Sequence, residues 1–146
     1  MFRRLLVPVD GSEGSLRAAR VAGEIARKFE SQVTLLHVVH VTEGMIASAG
    51  MAGMIGPDWA ESQAAEQAAR EILDAAAKAI ELPAQRVTQE VLRGHPAATI
   101  CQAAENGAYD LIVMGSRGLS EVGAFFLGSV SDKVSHHAHC PVMIVR

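Results

Sequence analysis

Apolar and polar positions along this chain change period several times, and each change marks an element. Leu5, Leu6, Val7 and Val9 lie in a short run, Arg4 to Val9, that Asp10-Gly11-Ser12 ends; it reads as a buried strand. From Ser12 the period turns helical, through Leu16, Ala19, Ala22, Ala26 and Phe29. Ser12 is a suitable N-cap, and Glu13 suits the first turn. Gln32 to Val39 is a second strand-like run, rich in Val and Leu. A second helix opens at Asp58-Trp59-Ala60-Glu61, a carboxylate N-cap with Glu three residues on. Its apolar face runs through Ala65, Ala68, Ala69, Ile72, Ala76, Ala79 and Ile80, and Pro83 ends it. Gln85 to Leu92 alternates as a third strand. Gly94-His95-Pro96 starts a third helix, since proline fits the first turn, and Asn106-Gly107 ends it with a glycine suited to a left-handed cap. Asp110 to Met114 is a fourth strand, a short helix runs to about His137, and Pro141 to Arg146 is the last strand.

Strands alternating with helices imply right-handed crossovers and a parallel sheet covered on both faces. No internal repeat, low-complexity tract or inter-domain linker interrupts the pattern, so residues 1–146 read as one domain. The segment Val41 to Pro57, which carries Met45, Met51 and Met54 and four glycines, reads as a long loop rather than a boundary. Between 44 and 56 it suits a lid or partner surface as well as a plain surface loop, because methionine adapts to changing neighbours. Trp59 is expected to anchor the helix that follows.

Composition narrows the class. Apolar residues make up 49% and charged residues 20%, the balance of a globular domain rather than a disordered chain. A net charge of −3 argues against a protein whose main task is holding nucleic acid. No apolar run is long enough to span a bilayer, and Arg3-Arg4 precede too few apolar residues for a signal-peptide core. A cytoplasmic protein is expected. Cys101 and Cys140 are too few for a disulfide framework and sit among apolar neighbours, so they are expected to be buried and reduced.

In open α/β sheets ligands bind beyond the carboxyl ends of strands, where the winding reverses. Asp10 follows the first strand and a glycine-rich stretch follows the fourth. That stretch reads Gly115-Ser116-Arg117-Gly118, nine residues, then Gly128-Ser129-Val130-Ser131. Its glycines permit close backbone approach and an anion-binding concavity, and its second half lies where a helix begins. Ser129 and Ser131 add hydroxyls, and Arg117 adds charge. A glycine-rich loop that merely turns the chain would look the same. A P-loop is excluded, because Gly128 is followed by serine with no lysine. The dinucleotide fingerprint is missing after the first strand. A receiver domain would want a second carboxylate at Gly11, and a dehalogenase-like phosphatase an Asp at Ser12.

These residues together resemble the nucleotide-binding branch of the universal stress protein family. The spacing Gly115-x2-Gly118-x9-Gly128-Ser129 is that family's ATP-binding signature. Leu6-Val7-Pro8-Val9-Asp10-Gly11-Ser12, Asp110 to Gly118 and Cys140-Pro141-Val142-Met143-Ile144-Val145-Arg146 resemble it too, so the likeness covers essentially the whole chain. The resemblance implies a Rossmann-like α/β domain of the adenine nucleotide alpha hydrolase type. Its single doubly wound sheet has five parallel strands, order 3-2-1-4-5, with helices on both faces. It implies that Pro8, Val9 and Asp10 line the adenosine end, with Asp10 accepting hydrogen bonds from the nucleoside. Val38 or Val39 would pack on adenine, and Met114 and Gly115 would meet the ribose. Gly118, Gly128, Ser129, Val130 and Ser131 would hold phosphates. ATP, with ADP and AMP as alternatives, would arrive with Mg²⁺ held by phosphates and water. The family also implies a homodimer through strand 142–145, whose apolar edge invites pairing.

No catalytic constellation is evident: nothing is placed to orient an attacking water, although Arg117 would offset developing charge. The expectation is an ATP-binding regulator of stress responses with slow hydrolysis at most, without nucleic-acid or membrane partners. A same-fold interaction module with an empty pocket, and a phosphoryl- or adenylyl-transfer enzyme, are the competing classes. His136-His137-Ala138-His139-Cys140 offers zinc-type ligands, but neighbouring helical positions point apart, so a frayed helix end is the plainer reading. His37 and His40 flank the end of the second strand as polar punctuation, with His40 at the edge of the expected pocket.

Overall fold

The structure, a computed structural model, describes residues 1–41, 59–118 and 127–146, apart from the side chains of 59–61. The Met/Gly segment, the Asp58 cap, the Trp59 anchor and most of the signature's nine-residue spacer lie outside the described residues. Within them, the strands are β1 (Arg4–Pro8), β2 (Gln32–His40), β3 (Val87–Gly94), β4 (Leu111–Gly115) and β5 (Val142–Val145). The helices are α1 (Glu13–Phe29), α2 (Trp59–Ile80), α3 (Pro96–Asn106) and α4 (Ser129–His137), with a 3₁₀ turn at Ala84–Arg86. All strand pairs are parallel, as the alternation of elements predicts, and the order is β3-β2-β1-β4-β5, as the family resemblance implies.

Two apolar layers sandwich this sheet. On one face Ala18, Ala19, Ala22 and Ala26 of α1 and Leu73, Ala76 and Ile80 of α2 pack on Leu5, Val7, Leu35 and Val113. On the other, Ile100 and Ala104 of α3 and Val134 of α4 pack on Leu6, Leu36, Ile112 and Met114. Side chains alternate across a strand, so consecutive residues such as Leu35 and Leu36 serve opposite cores. This is why the central strands are apolar throughout. Ser12 caps α1 as expected, its hydroxyl accepting from the Ser15 amide at 3.2 Å. In α2 the fully buried stripe is Ala69, Leu73, Ala76 and Ile80, while Ala68 is exposed. Ala69, Ala76 and Ile80 lie where expected; Leu73 joins them in the core and Ala68 leaves it.

Two local expectations change. Gln85 and Arg86 belong to a 3₁₀ turn, and β3 starts at Val87. The cause is the Arg86 guanidinium, which donates to the carbonyls of Ala26 and Ser31 and pulls the chain back onto the end of α1. Gly107 is not left-handed: its φ is −85°, and Ala108 takes the positive φ of 48°. Glycine stands there because a Cβ at 107 would run into the Tyr109 ring. That ring is fixed by its hydroxyl, which donates to Thr34 Oγ1 at 2.8 Å, and by the Arg4 guanidinium 5.0 Å above its centroid. Among the described residues, no helix is long and apolar enough to cross a membrane.

Candidate functional site

The winding reverses between β1 and β4, so the carboxyl ends of these neighbours open a crevice. A cavity of about 520 Å³ occupies it. Pro8, Val9 and Asp10 enter from β1, Val38 and Val39 from β2, Met114, Gly115, Arg117 and Gly118 from β4, and Ser129, Val130 and Ser131 from the start of α4. Every residue expected at the site therefore lines one cavity except Gly128, which directly precedes the lining residue Ser129. Val38 and Val39 stand on opposite faces of β2. Val38 packs with Met114 and Val130 on the α3–α4 side. A second cavity of about 490 Å³, between β3 and α3, is lined by Glu90, Thr99, Gln102 and Asn106 and holds no residue of the glycine signature.

The polar groups of the crevice are partly committed. Asp10 Oδ1 accepts from the Ser12 amide at 2.9 Å, which turns the chain from β1 into α1. Its other oxygen faces Gly118: a Cβ built there would lie 3.0 Å from Asp10 Oδ2. The Gly128 amide donates to Ser116 O at 2.6 Å, and the buried Ser131 hydroxyl has Ser116 O at 2.7 Å and Gly128 O at 3.0 Å as its acceptors. These two groups clamp the start of α4 to the end of β4. What α4 turns toward the cavity is its N-terminus, with the positive end of its dipole. Among the described glycines only Gly11 and Gly94 have positive φ, so Gly115 and Gly118 serve close approach rather than an unusual backbone, and Gly128 is an N-cap of ordinary φ, −66°. His37 Nδ1 lies 2.8 Å from Val9 O; a carbonyl only accepts, so Nδ1 carries the proton and Nε2 is the acceptor of the neutral ring.

The universal stress protein family model matches residues 1–146. This chain belongs to the universal stress protein family. A universal stress protein of Thermus aquaticus is 39% identical over the full length of both chains. Among solved structures, the universal stress protein UspA from Lactobacillus plantarum superposes with a TM-score of 0.74 at 28% identity, covering 99% of this chain and 98% of its own. A universal stress protein crystallised in complex with cAMP superposes with a TM-score of 0.66 at 26% identity, covering 99% of this chain and 96% of its own.

Several lining residues were missed by the sequence reading. Ala65 and Ala68 of α2, Pro96 and Ile100 of α3, and Leu36 and His37 of β2 all reach the cavity, with His40 at its edge as expected. Pro96 was findable, because the carboxyl-end rule that selects Asp10 applies equally to the end of β3. Ala65 and Ala68 gave no signal of their own, since alanines on a helix read as core. The C-terminal imidazoles lie elsewhere: His136 Nδ1 is 2.8 Å from Asp132 O and 3.6 Å from Asp132 Oδ1, one turn earlier on α4. Neither cysteine is fully buried, contrary to expectation; both are half-buried and unbridged, and partial burial pushes both thiols up.

Proposed function

We propose that this chain binds an adenine nucleotide, ATP foremost with ADP and AMP as alternatives, in the β1–β4 crevice. In this reading it acts as a homodimeric regulator of stress responses that hydrolyses ATP slowly or not at all. One observation carries it: the two halves of the glycine signature and the Asp10 end of β1, remote in sequence, line the same cavity of about 520 Å³. Asp10 Oδ2 would accept from the nucleoside. Val38 or Val39 would cover the base, and Met114 and Gly115 the ribose. Gly118, Arg117 and the first turn of α4 would meet the phosphates, with Gly128 acting by holding that turn in place.

Mg²⁺ fits this reading only as a companion of the nucleotide. Asp10 is the one carboxylate among the described lining residues, and an amide already occupies one of its oxygens. Such a site offers no cage for a hard cation, which would keep phosphate and water ligands. Slow turnover follows from the same inventory. The lining imidazoles, His37 and His40, stand on β2, on the far side of β1 from the start of α4. The carboxylate that faces Gly118, Asp10, would be committed to the Ser12 amide and the nucleoside, so no described base is left at the proposed phosphate end to orient water. We place this activity in the cytoplasm; no described helix is long and apolar enough to cross a membrane.

The test is nucleotide content. The protein is purified without added nucleotide and denatured, and released small molecules are identified by chromatography and mass spectrometry. Stoichiometric ATP or ADP supports the reading. An empty preparation is then titrated calorimetrically with ATP and Mg²⁺; a flat titration to millimolar concentration would replace the reading with an interaction module of the same fold.

A further inference from the structure

Two imidazoles outside the proposed contacts meet at the rim of the cavity. His40 ends β2 and His95 follows β3, and their ring centroids are 6.0 Å apart with planes at 62°. Both side chains are exposed, and neither ring makes a hydrogen bond among the described residues. His95 occupies the N-cap of α3, yet its side chain does not cap the helix. The two rings thus bring unspent nitrogen lone pairs to one place.

The backbone beneath them is fixed from several directions. Parallel pairing sets His40 opposite Gly94, and the Val41 amide donates to Gly94 O at 3.2 Å. Gly94 has φ +152°, a conformation few side chains tolerate, and a Cβ there would lie 2.5 Å from Thr99 Oγ1. The Thr99 amide closes the first turn on His95 O at 2.9 Å, and Pro96 restricts the chain between. Both Cα positions are therefore held, while both rings are exposed.

We propose that His40 and His95 chelate a divalent transition-metal ion, of the Zn²⁺, Ni²⁺ or Cu²⁺ class, at the rim of the cavity. Imidazole nitrogen suits these ions and is a poor ligand for Mg²⁺ or Ca²⁺. With metal–nitrogen bonds of about 2.0–2.1 Å, a tetrahedral pair of imidazoles has centroids about 5 Å apart. The observed 6.0 Å is longer, and rotation of the two exposed side chains would close the difference. Water completes the coordination. The positive end of α3 opposes a cation, but weakly at an exposed position, and it opposes the competing proton as well. His40 lines the cavity and His95 precedes Pro96, which also lines it, so the ion would sit beside the cavity. The inference does not depend on what the cavity binds.

The experiment is equilibrium dialysis of the untagged chain against Zn²⁺ alone, with Cu²⁺ electron paramagnetic resonance to count coordinated nitrogens. His40→Gln and His95→Asn are compared with wild type; asparagine keeps an N-cap former at 95. His139→Ala controls for the distant C-terminal imidazoles, and circular dichroism checks each fold. Wild type should bind one ion with two-nitrogen coupling, unaffected by His139→Ala. Each rim variant should weaken binding at least about tenfold, since even outer-shell partners of a metal are worth that much. Absence of binding in wild type overturns the proposal. So does a loss confined to one rim variant, retention in both, or dependence on His139.

Discussion

Asp10 and Gly118 face each other across the crevice: a Cβ at 118 would lie 3.0 Å from Asp10 Oδ2. The space between the end of β1 and the end of β4 is thus bounded by one carboxylate oxygen and one bare backbone. A methyl group at 118 would only nudge a side chain. The branched side chain of Gly118→Val would fill the approach to the backbone and crowd the carboxylate. Folding should survive, because φ at 118 is not in the left-handed region and Asp10 can move. We expect nucleotide affinity to fall at least tenfold, about 1.4 kcal/mol, with Tm nearly unchanged. Unaltered calorimetric affinity in a folded Gly118→Val chain would remove 118 from the site.

Three residues earlier, β4 ends on a glycine that is there for a different reason. A Cβ on Gly115 would lie 2.8 Å from the Gly14 carbonyl carbon and 3.1 Å from the Ser15 amide nitrogen. Those atoms belong to the first turn of α1, which Ser12 and Asp10 hold in place. Gly115→Ala must therefore push helix from strand and should cost about 1–3 kcal/mol. Gly14→Ala is the counterpart: its Cβ would find Arg117 O at 3.5 Å, an ordinary contact. Alanine also has the higher helix propensity, so this variant should be neutral or slightly more stable. Urea denaturation of both variants checks the asymmetry. Equal losses would mean that the contact is not one-sided.

Gly115 shows where reading the sequence stops. Its place in a spaced glycine signature marks it as a ligand residue, and it does line the cavity. Nothing in the spacing says that α1 packs against its back, because that contact joins 115 to 14 through the tertiary fold. The alternation of strands and helices, and the placing of Asp10 and the glycine stretch at strand ends, were legible because apolar runs, caps and the carboxyl-end rule are local or general; the strand order and the other expected lining residues came from the family resemblance. Ala65, Ala68 and Ile100 came from neither, since a small or aliphatic residue looks the same at a cavity wall as in a core. The start of β3 moved for a similar reason. Arg86 is drawn to the Ala26 and Ser31 carbonyls, partners far away in sequence, and no alternation pattern records that pull.

Cys101 and Cys140 both pack beside the α3–α4 core, and burial raises both thiols above the ordinary cysteine range. The thiolate is the reactive species, so a raised pKa lowers its fraction at any pH below that value. Alkylation by iodoacetamide at pH 8 should therefore be slower in the native chain than in urea. The gap should narrow as pH rises and more thiolate forms. Peptide mapping resolves the two sites. Either cysteine reacting at its unfolded rate in native protein at pH 7 would show that burial does not protect it.

The proposed dimer depends on β5, an edge strand paired only with β4 among the described strands. Its residues are not equivalent. Val142 and Ile144 pack against the α3–α4 core and Val145 against the other, whereas Met143 is 37% exposed. Lysines at 142 and 144 would strip the core and the edge together, so loss of the dimer in that variant would not separate misfolding from lost pairing. Met143→Lys acts on the exposed side alone. A charge at an edge is a common device against strand-to-strand pairing, and here it would repel its twofold copy. We expect sedimentation velocity at micromolar concentration to show a dimer for wild type and a monomer for Met143→Lys, with matching circular dichroism. A wild-type monomer would discard the dimer. A Met143→Lys dimer would move the interface away from β5.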